Sequence, residues 1–418
     1  MSEDIIIRVC KNELGTGFAA LGLCFVVSTI LWPMWSLVAQ AFFSALAYKG
    51  LAAAGPELAG KLVGAMVEDS FFWMVINTWI WLTIIMGNYG KTRFSEKQPL
   101  AGISYVLTAL FLGIVAFLLM IGFIGIWWKP FNLAVMFTPV TAADAALALE
   151  GWEASNFFAL AVILAQIPFV SLLHKWPFAG TSNQPTEGFG VLGFSTLVTY
   201  IVWLALIVPS FLHLSIDGEA VTAQPFGSWP AFVAFCQAFV FFAIMPAEGA
   251  EQYPMKLFAK KQPYMGLVGL VIALAAGLSL PPAIKSIVEP LNLVPGVPVY
   301  VVVASLELSV IVFMLAWHHL FDDYPSAQLV PKAAVRVLAR AAIWLGGGIV
   351  YGVLWLKTYT FLPIGKNNLG MGFPTMGILA GQFAFVMTFL IFNTYFDKWP
   401  LVRKGRSRQA SPVPQPCP

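Results

Sequence analysis

Apolar residues in this chain neither alternate nor keep to one stripe; they run on for about the length of a membrane crossing, ten times over. The runs fall near residues 18–42, 71–88, 101–126, 156–173, 190–212, 230–250, 264–284, 298–319, 336–356 and 375–396, each closed by Pro, Gly or charge. A spanning helix needs about 20 mostly apolar residues, and a helix apolar on every face belongs inside a core or a bilayer. The pattern predicts an all-α polytopic transmembrane bundle of about ten helices over residues 1–402, followed by a disordered basic and Pro-rich tail over 403–418. The first run ends in Ala45-Leu46-Ala47, which fits a small-residue cleavage site. Its apolar length far exceeds the roughly 7–15 residues of a signal peptide, so it reads as a retained helix.

The punctuation between runs is itself patterned. Gln98-Pro99-Leu-Ala-Gly102, Gln184-Pro185-Thr-Glu-Gly188 and Gln262-Pro263-Tyr-Met-Gly266 open three odd-numbered helices. Trp176-Pro177, Tyr324-Pro325 and Trp399-Pro400 close three even-numbered ones. Proline at a helix start forfeits no hydrogen bond, and glycine one turn later admits a close neighbour. An internal repeat of helical hairpins is the expectation.

Composition sharpens the class. Of 418 residues, 59% are hydrophobic and 10% charged, against about 25% charged in soluble proteins; the mean hydropathy is +0.81. Such a surface must face lipid, and no polar stretch is long enough for a soluble domain. Alternating the loops between two sides places 17 of the 23 Lys and Arg on one side, including every arginine. The positive-inside rule then sets both termini in the cytoplasm of a multi-pass protein of the cell membrane. The four cysteines (Cys10, Cys24, Cys236, Cys417) show no paired or metal-finger spacing.

Candidate chemistry lies in the rare polar residues of the runs, because a charge at mid-membrane costs about 2.5–3.5 kcal/mol on insertion scales. Glu307 sits near the middle of the eighth run, where it suits proton coupling or cation binding. The sixth run ends in Met245-Pro246-Ala-Glu248-Gly-Ala-Glu251-Gln-Tyr-Pro254, which cannot form a regular helix; a broken helix with carboxylates is one way to build a transport site. Asn77, Gln166 and Gln382 fall in other runs and would line a polar path or fasten helices. Phe241-Phe242-Ala243 through Glu248, followed by a basic loop and Pro263, resembles the broken sixth helix of amino-acid/polyamine/organocation transporters over a short part of the chain. That family's inverted five-helix repeat differs from the direct repeat of hairpins read here.

These features predict a secondary carrier for a small polar or ionic solute, coupled to protons or sodium, with Glu307, Glu248, Glu251, Asn77, Gln166 and Gln382 at its site and no cofactor. A first alternative is a membrane subunit of a redox or metal enzyme holding haem or metal through His174, His318, His319 and Asp322. A second is a non-catalytic assembly or lipid-interacting protein whose polar residues only pack helices. No phosphate-binding loop, dinucleotide fingerprint or nucleophile elbow occurs. The expected partners are the bilayer and a small solute, not nucleic acid.

Overall fold

The computed structural model describes residues 5–9, 12–212, 215–216, 219–220, 224–366 and 377–405. Among these, helix dominates. Strand is confined to two short antiparallel pairs, β1 (Ile5–Arg8) with β4 (Val402–Gly405) and β2 (Ser215–Ile216) with β3 (Glu219–Ala220). The helices are α1 (Glu13–Leu46), α2 (Tyr48–Ala54), α3 (Pro56–Phe71), α4 (Leu100–Ile124), α5 (Leu133–Phe137), α6 (Ala142–Ser171) and α7 (Thr186–Leu206). They continue with α8 (Trp229–Ile244), α9 (Tyr264–Val288), α10 (Val299–Phe321), α11 (Ala333–Thr358), α12 (Pro363–Lys366) and α13 (Gly377–Thr394).

Seven of these are long and apolar enough to cross a membrane: α1, α4, α6, α7, α9, α10 and α11. The apolar helices α8 and α13 are shorter. The run expected at 71–88 takes the wider π-helical form over Phe72–Asn77 and Ile80–Ile85, directly continuing α3. Its breadth is accommodated by α4, whose Gly113 would place a Cβ only 2.5 Å from the Met74 Cα.

Two expected boundaries move. The segment 48–70, which falls between the first two apolar runs, is α2 and α3. Helix α6 starts at Ala142, well before the predicted residue 156, because Thr141 and Asp144 form a reciprocal capping box. The polar residues Asp144, Glu150 and Glu153 hide those first turns from a hydropathy reading. At the other end, β4 includes Arg403, Lys404 and Gly405, so the expected tail begins with a paired strand; residues 406–418 lie outside the described residues.

Burial divides the helices into two layers. In α1, α4, α7, α9 and α11 only 22–28% of the most apolar window is buried, against 89% in α6 and 72% in α10. The outer helices expose large apolar side chains such as Phe18, Leu37, Phe111, Leu119, Val271 and Leu338. A surface of this kind is stable against hydrocarbon and not against water, which is the build of an integral membrane protein. Within the inner layer, α6 lies against α8, α8 against α10 and α10 against α13. The π-helical segment touches α6 and meets α13 through Phe72 on Phe383 and a Trp79 Nε1–Thr394 Oγ1 hydrogen bond of 3.1 Å.

At the end where β1 meets β4, the inner elements finish alike. Two successive residues adopt positive φ: Gly87-Asn88, His174-Lys175, Glu251-Gln252, Asp322-Asp323 and Asp397-Lys398. The second of each pair donates its amide six residues back, as in Asn88 to Leu82 (2.8 Å) and Gln252 to Pro246 (2.9 Å). This satisfies a helix carbonyl that would otherwise be orphaned. An aromatic residue follows each pair: Tyr89, Trp176, Tyr253, Tyr324 and Trp399.

The three Gln-Pro segments also share one geometry. Each Gln Oε1 accepts from the glycine amide four residues on, at 3.2 Å in Gln98–Gly102, Gln184–Gly188 and Gln262–Gly266. Each Nε2 donates to a carbonyl ending an inner element elsewhere in the chain: Gln98 to Tyr395 (2.9 Å), Gln184 to Ile85 (3.3 Å) and Gln262 to Leu172 (2.7 Å). One side chain thus closes the start of an outer helix and the end of an inner one, each bond contributing about 1 kcal/mol net.

Candidate functional site

The polar residues of the inner layer separate by whether their hydrogen-bonding capacity is used. Gln382 of α13 is fully engaged by α10: its Nε2 donates to Ser305 Oγ (2.8 Å) and its Oε1 accepts from Ser309 Oγ (2.9 Å). Gln166 of α6 accepts from Trp81 Nε1 (2.8 Å) and lies 3.5 Å from Thr199 Oγ1 on α7. Both fasten helix to helix.

Glu307 and Asn77 are different. Glu307 lies in α10, 8% exposed, and neither carboxylate oxygen has a hydrogen-bond partner among the described residues. Its electrostatic neighbours include Cys236 on α8. Asn77, in the π-helical segment, is fully buried with both amide atoms unpaired. One residue not singled out from sequence shares this condition, Asn156 of α6; Asp69 of α3, also buried and also missed, lies against Ser155 and Trp73, which hydrogen-bond its carboxyl. They lie in runs whose hydropathy or boundary was read too coarsely to place them inside. Leaving a buried polar group unpaired costs about 1–3 kcal/mol, which makes Glu307, Asn77 and Asn156 the candidates for a use.

A second polar group gathers at the end of α8 and α10. Helix α8 stops at Ile244 and the chain turns through Pro246–Pro254 until α9 begins at Tyr264. The expected helix broken within the membrane is instead a helix end followed by a turn. Its two acids take opposite surroundings. Glu251 receives the Arg336 guanidinium as a fork, Nε to Oε1 at 2.6 Å and Nη2 to Oε2 at 2.7 Å. That bonding holds the Glu251 carboxyl below the usual carboxylate range. Arg340 adds a bond to the Gly249 carbonyl (2.8 Å) and one to the Pro325 carbonyl (3.0 Å), tying the two turns together.

Glu248 points the other way, towards the last turn of α10. Its Oε2 lies 3.0 Å from His318 Nε2 and 3.5 Å from His319 Nε2. Burial pushes its carboxyl above the usual range, His318 opposing this and Asp323 adding to it. The outer ring nitrogens are held from behind: His318 Nδ1 by Asp323 Oδ2 at 2.9 Å, His319 Nδ1 by the Asn393 amide at 2.8 Å. Glu248, His318 and His319 form a cluster whose ligating atoms all lie within 4.8 Å of one another.

Of the residues proposed for a metal, the structure brings together His318 and His319 and adds Glu248. Asp322 is turned away to Lys398 Nζ at 2.6 Å, and its neighbour Asp323 takes the supporting position. His174 occupies the first left-handed position after α6 and is not part of the cluster. The fourth histidine, His213, lies outside the described residues. Asp323 and Asn393 were legible only as polar residues near helix ends. Cys24 and Cys236 are buried free thiols.

An apolar crevice of about 1170 Å³ opens between α1, the π-helical segment, α4 and α13, lined by Trp32, Trp35, Trp73, Phe117, Trp152 and Met387 among others. None of the carboxylates or histidines above lines it. Its walls suit hydrocarbon better than a polar solute.

Comparison with protein-family models, with known proteins and with solved structures finds no match to this chain.

Proposed function

We propose that the protein is a secondary carrier that moves a small ionic solute across the cell membrane, coupled to protons or sodium. The observation that carries this reading is Glu307: a carboxyl within a spanning helix, buried, and with neither oxygen hydrogen-bonded among the described residues. A structural carboxyl would be fastened as Gln382 is. An unfastened one has its capacity free for a transported proton or cation. Asn77 supports the reading in the same way, and Glu248 and Glu251 stand at the end of the bundle where the solute would leave or enter.

In this reading all ten apolar runs cross the bilayer as five hairpins built on one plan, with α1 and α13 forming the fifth through the β1–β4 pair. The shared helix ends and the three Gln clasps support the repeat. The concentration of Lys and Arg at that end supports its placement in the cytoplasm.

The test is proteoliposomes carrying an internal pH dye, challenged in turn with small anions, cations and zwitterions. At least one solute class should drive proton or sodium-dependent flux in the unaltered protein, and Glu307→Gln should abolish or uncouple it. Undiminished flux in Glu307→Gln, or no response to any class, overturns the reading. A second reading, a membrane subunit of a metal-dependent enzyme, draws on the Glu248–His318–His319 cluster; there the Glu307 variant would keep full activity.

A further inference from the structure

We infer that Glu248, His318 and His319 form a binding site for a divalent transition-metal ion of the zinc class, bound through Glu248 Oε2 and the two Nε2 atoms. The inference does not depend on the carrier reading, since it concerns two side chains in the last turn of α10 and one in the turn after α8, and none at Glu307.

The carboxylate stands at coordination-shell spacing from both rings, and all three ligating atoms lie within 4.8 Å of one another. Zinc binds imidazole nitrogen and carboxylate oxygen at about 2.0–2.2 Å, so neighbouring ligands around one ion lie about 3.0–3.6 Å apart. The two separations from Glu248 Oε2 are 3.0 and 3.5 Å. Neither contact is aligned as a hydrogen bond: Glu248 Oε2 and His319 Nε2 both lack a hydrogen-bond partner although both atoms are buried. The His319 side chain is only 10% exposed. Two imidazole nitrogens converging on one carboxylate oxygen without aligned hydrogen bonds is an arrangement that a shared cation satisfies.

The supporting residues match. A ligating histidine holds its second nitrogen against a carboxylate or amide, which fixes the tautomer and the ring plane. Asp323 accepts from His318 Nδ1 and so presents the Nε2 lone pair to the site. Asn393 sits at His319 Nδ1, where the metal-binding tautomer requires the amide oxygen to face the ring; oxygen and nitrogen exchange by a rotation of that amide. The two rings are nearly perpendicular, at 84°, with centroids 4.8 Å apart. Lys398, the nearby cation, is held by Asp322 and does not fill the position. Two nitrogens and one oxygen favour zinc, iron, cobalt or nickel over magnesium or calcium. Three protein ligands leave at least one position for water or a solute.

The test uses the full chain purified in detergent, with any histidine tag removed and stripped by chelator. Zinc is titrated calorimetrically and cobalt by visible absorption. One equivalent of zinc should bind, and cobalt should develop ligand-field bands. Glu248→Gln and His319→Ala should each weaken binding at least 100-fold, while His174→Gln leaves it unchanged. Asn393→Leu should weaken it about 10–100-fold without changing the stoichiometry, as expected of a positioning residue. If these variants do not fold, the melting temperature of the unaltered protein decides: zinc should raise it and magnesium should not. Absence of stoichiometric zinc binding, or binding undiminished in Glu248→Gln and His319→Ala, or a melting temperature unmoved by zinc, overturns the assignment.

Discussion

His318 Nε2 lies 3.0 Å from Glu248 Oε2, an imidazole in the last turn of α10 meeting a carboxylate in the turn after α8. Seventy residues of sequence and an entire helical hairpin separate them. The meeting follows from how the two helices end. Helix α10 stops at paired left-handed residues 322–323, α8 has its own pair at 251–252, and Arg340 bonds to the turn beyond each. Neither turn can shift without breaking a bond to Arg340.

The Arg336–Glu251 fork predicts acid sensitivity. Because the folded protein holds the Glu251 carboxyl below its ordinary value, the pair stabilises the fold at neutral pH. That contribution is lost as pH falls through the lowered folded value. Melting curves from about pH 7 to about pH 3 should drop more steeply in the unaltered protein than in Glu251→Gln. Equal slopes would remove this pair as a cause. Arg336→Met should lower the melting temperature at neutral pH, the exposure of Glu251 keeping the loss below that of a dry pair.

Glu307→Leu should separate stability from function. The substitution removes a buried carboxyl that has no hydrogen-bond partner and supplies apolar volume of similar size. Unfolding should become harder by about 1–3 kcal/mol, while solute-driven flux disappears. A loss of stability on this substitution would show that Glu307 is fastened to something, and the carrier reading would lose its support.

Glycines near the middle of two outer helices should respond in opposite ways. Gly113→Ala drives a methyl into the backbone of the π-helical segment, 2.5 Å from the Met74 Cα. It should cost about 1–3 kcal/mol and disturb the Trp73 environment, read by tryptophan fluorescence. At Gly346 nothing lies within 4 Å of an added Cβ. Gly346→Ala should be neutral or stabilise by up to about 1 kcal/mol through helix propensity. The neighbouring Gly348 faces the Val310 backbone at 2.7 Å and should behave like Gly113.

Each glutamine clasp should be worth a measurable, separable amount. Gln262→Ala removes the donor to the Leu172 carbonyl and the acceptor for the Gly266 amide. The expected cost is about 1–2 kcal/mol per glutamine. Alanine at Gln98, Gln184 and Gln262 together should cost nearly the sum, since the three share no partner. Strong non-additivity in thermal unfolding would count against independent clasps.

Hydropathy made the helices legible because lipid imposes one rule on a whole run of side chains. All ten runs are helical, and seven are long and apolar enough to cross. It failed where the rule is local. The π-helical form of 72–85 depends on backbone geometry that Trp, Ile and Asn do not announce, and the early start of α6 depends on the cap at Thr141. Glu307 stood out from sequence because its neighbours along the helix are apolar. Gln166 and Gln382 stood out for the same reason, yet partners from other helices use up their capacity; single-chain order cannot say which partners arrive. The cluster at Glu248 was visible only in halves, as acids after one run and histidines at the end of another. Left-handed turns on both sides bring the halves together, and a hydropathy profile carries no trace of them.

The clasps also free the connecting segments from a task that loops usually have. Where helix spacing is fixed by a glutamine reaching from one backbone to another, the length of chain between the aromatic turn and that glutamine no longer matters to the bundle. The exposed stretch around Arg93–Glu96 is therefore a place where the chain tolerates growth: a reporter domain spliced in there would leave α4 held to the end of α13 by Gln98.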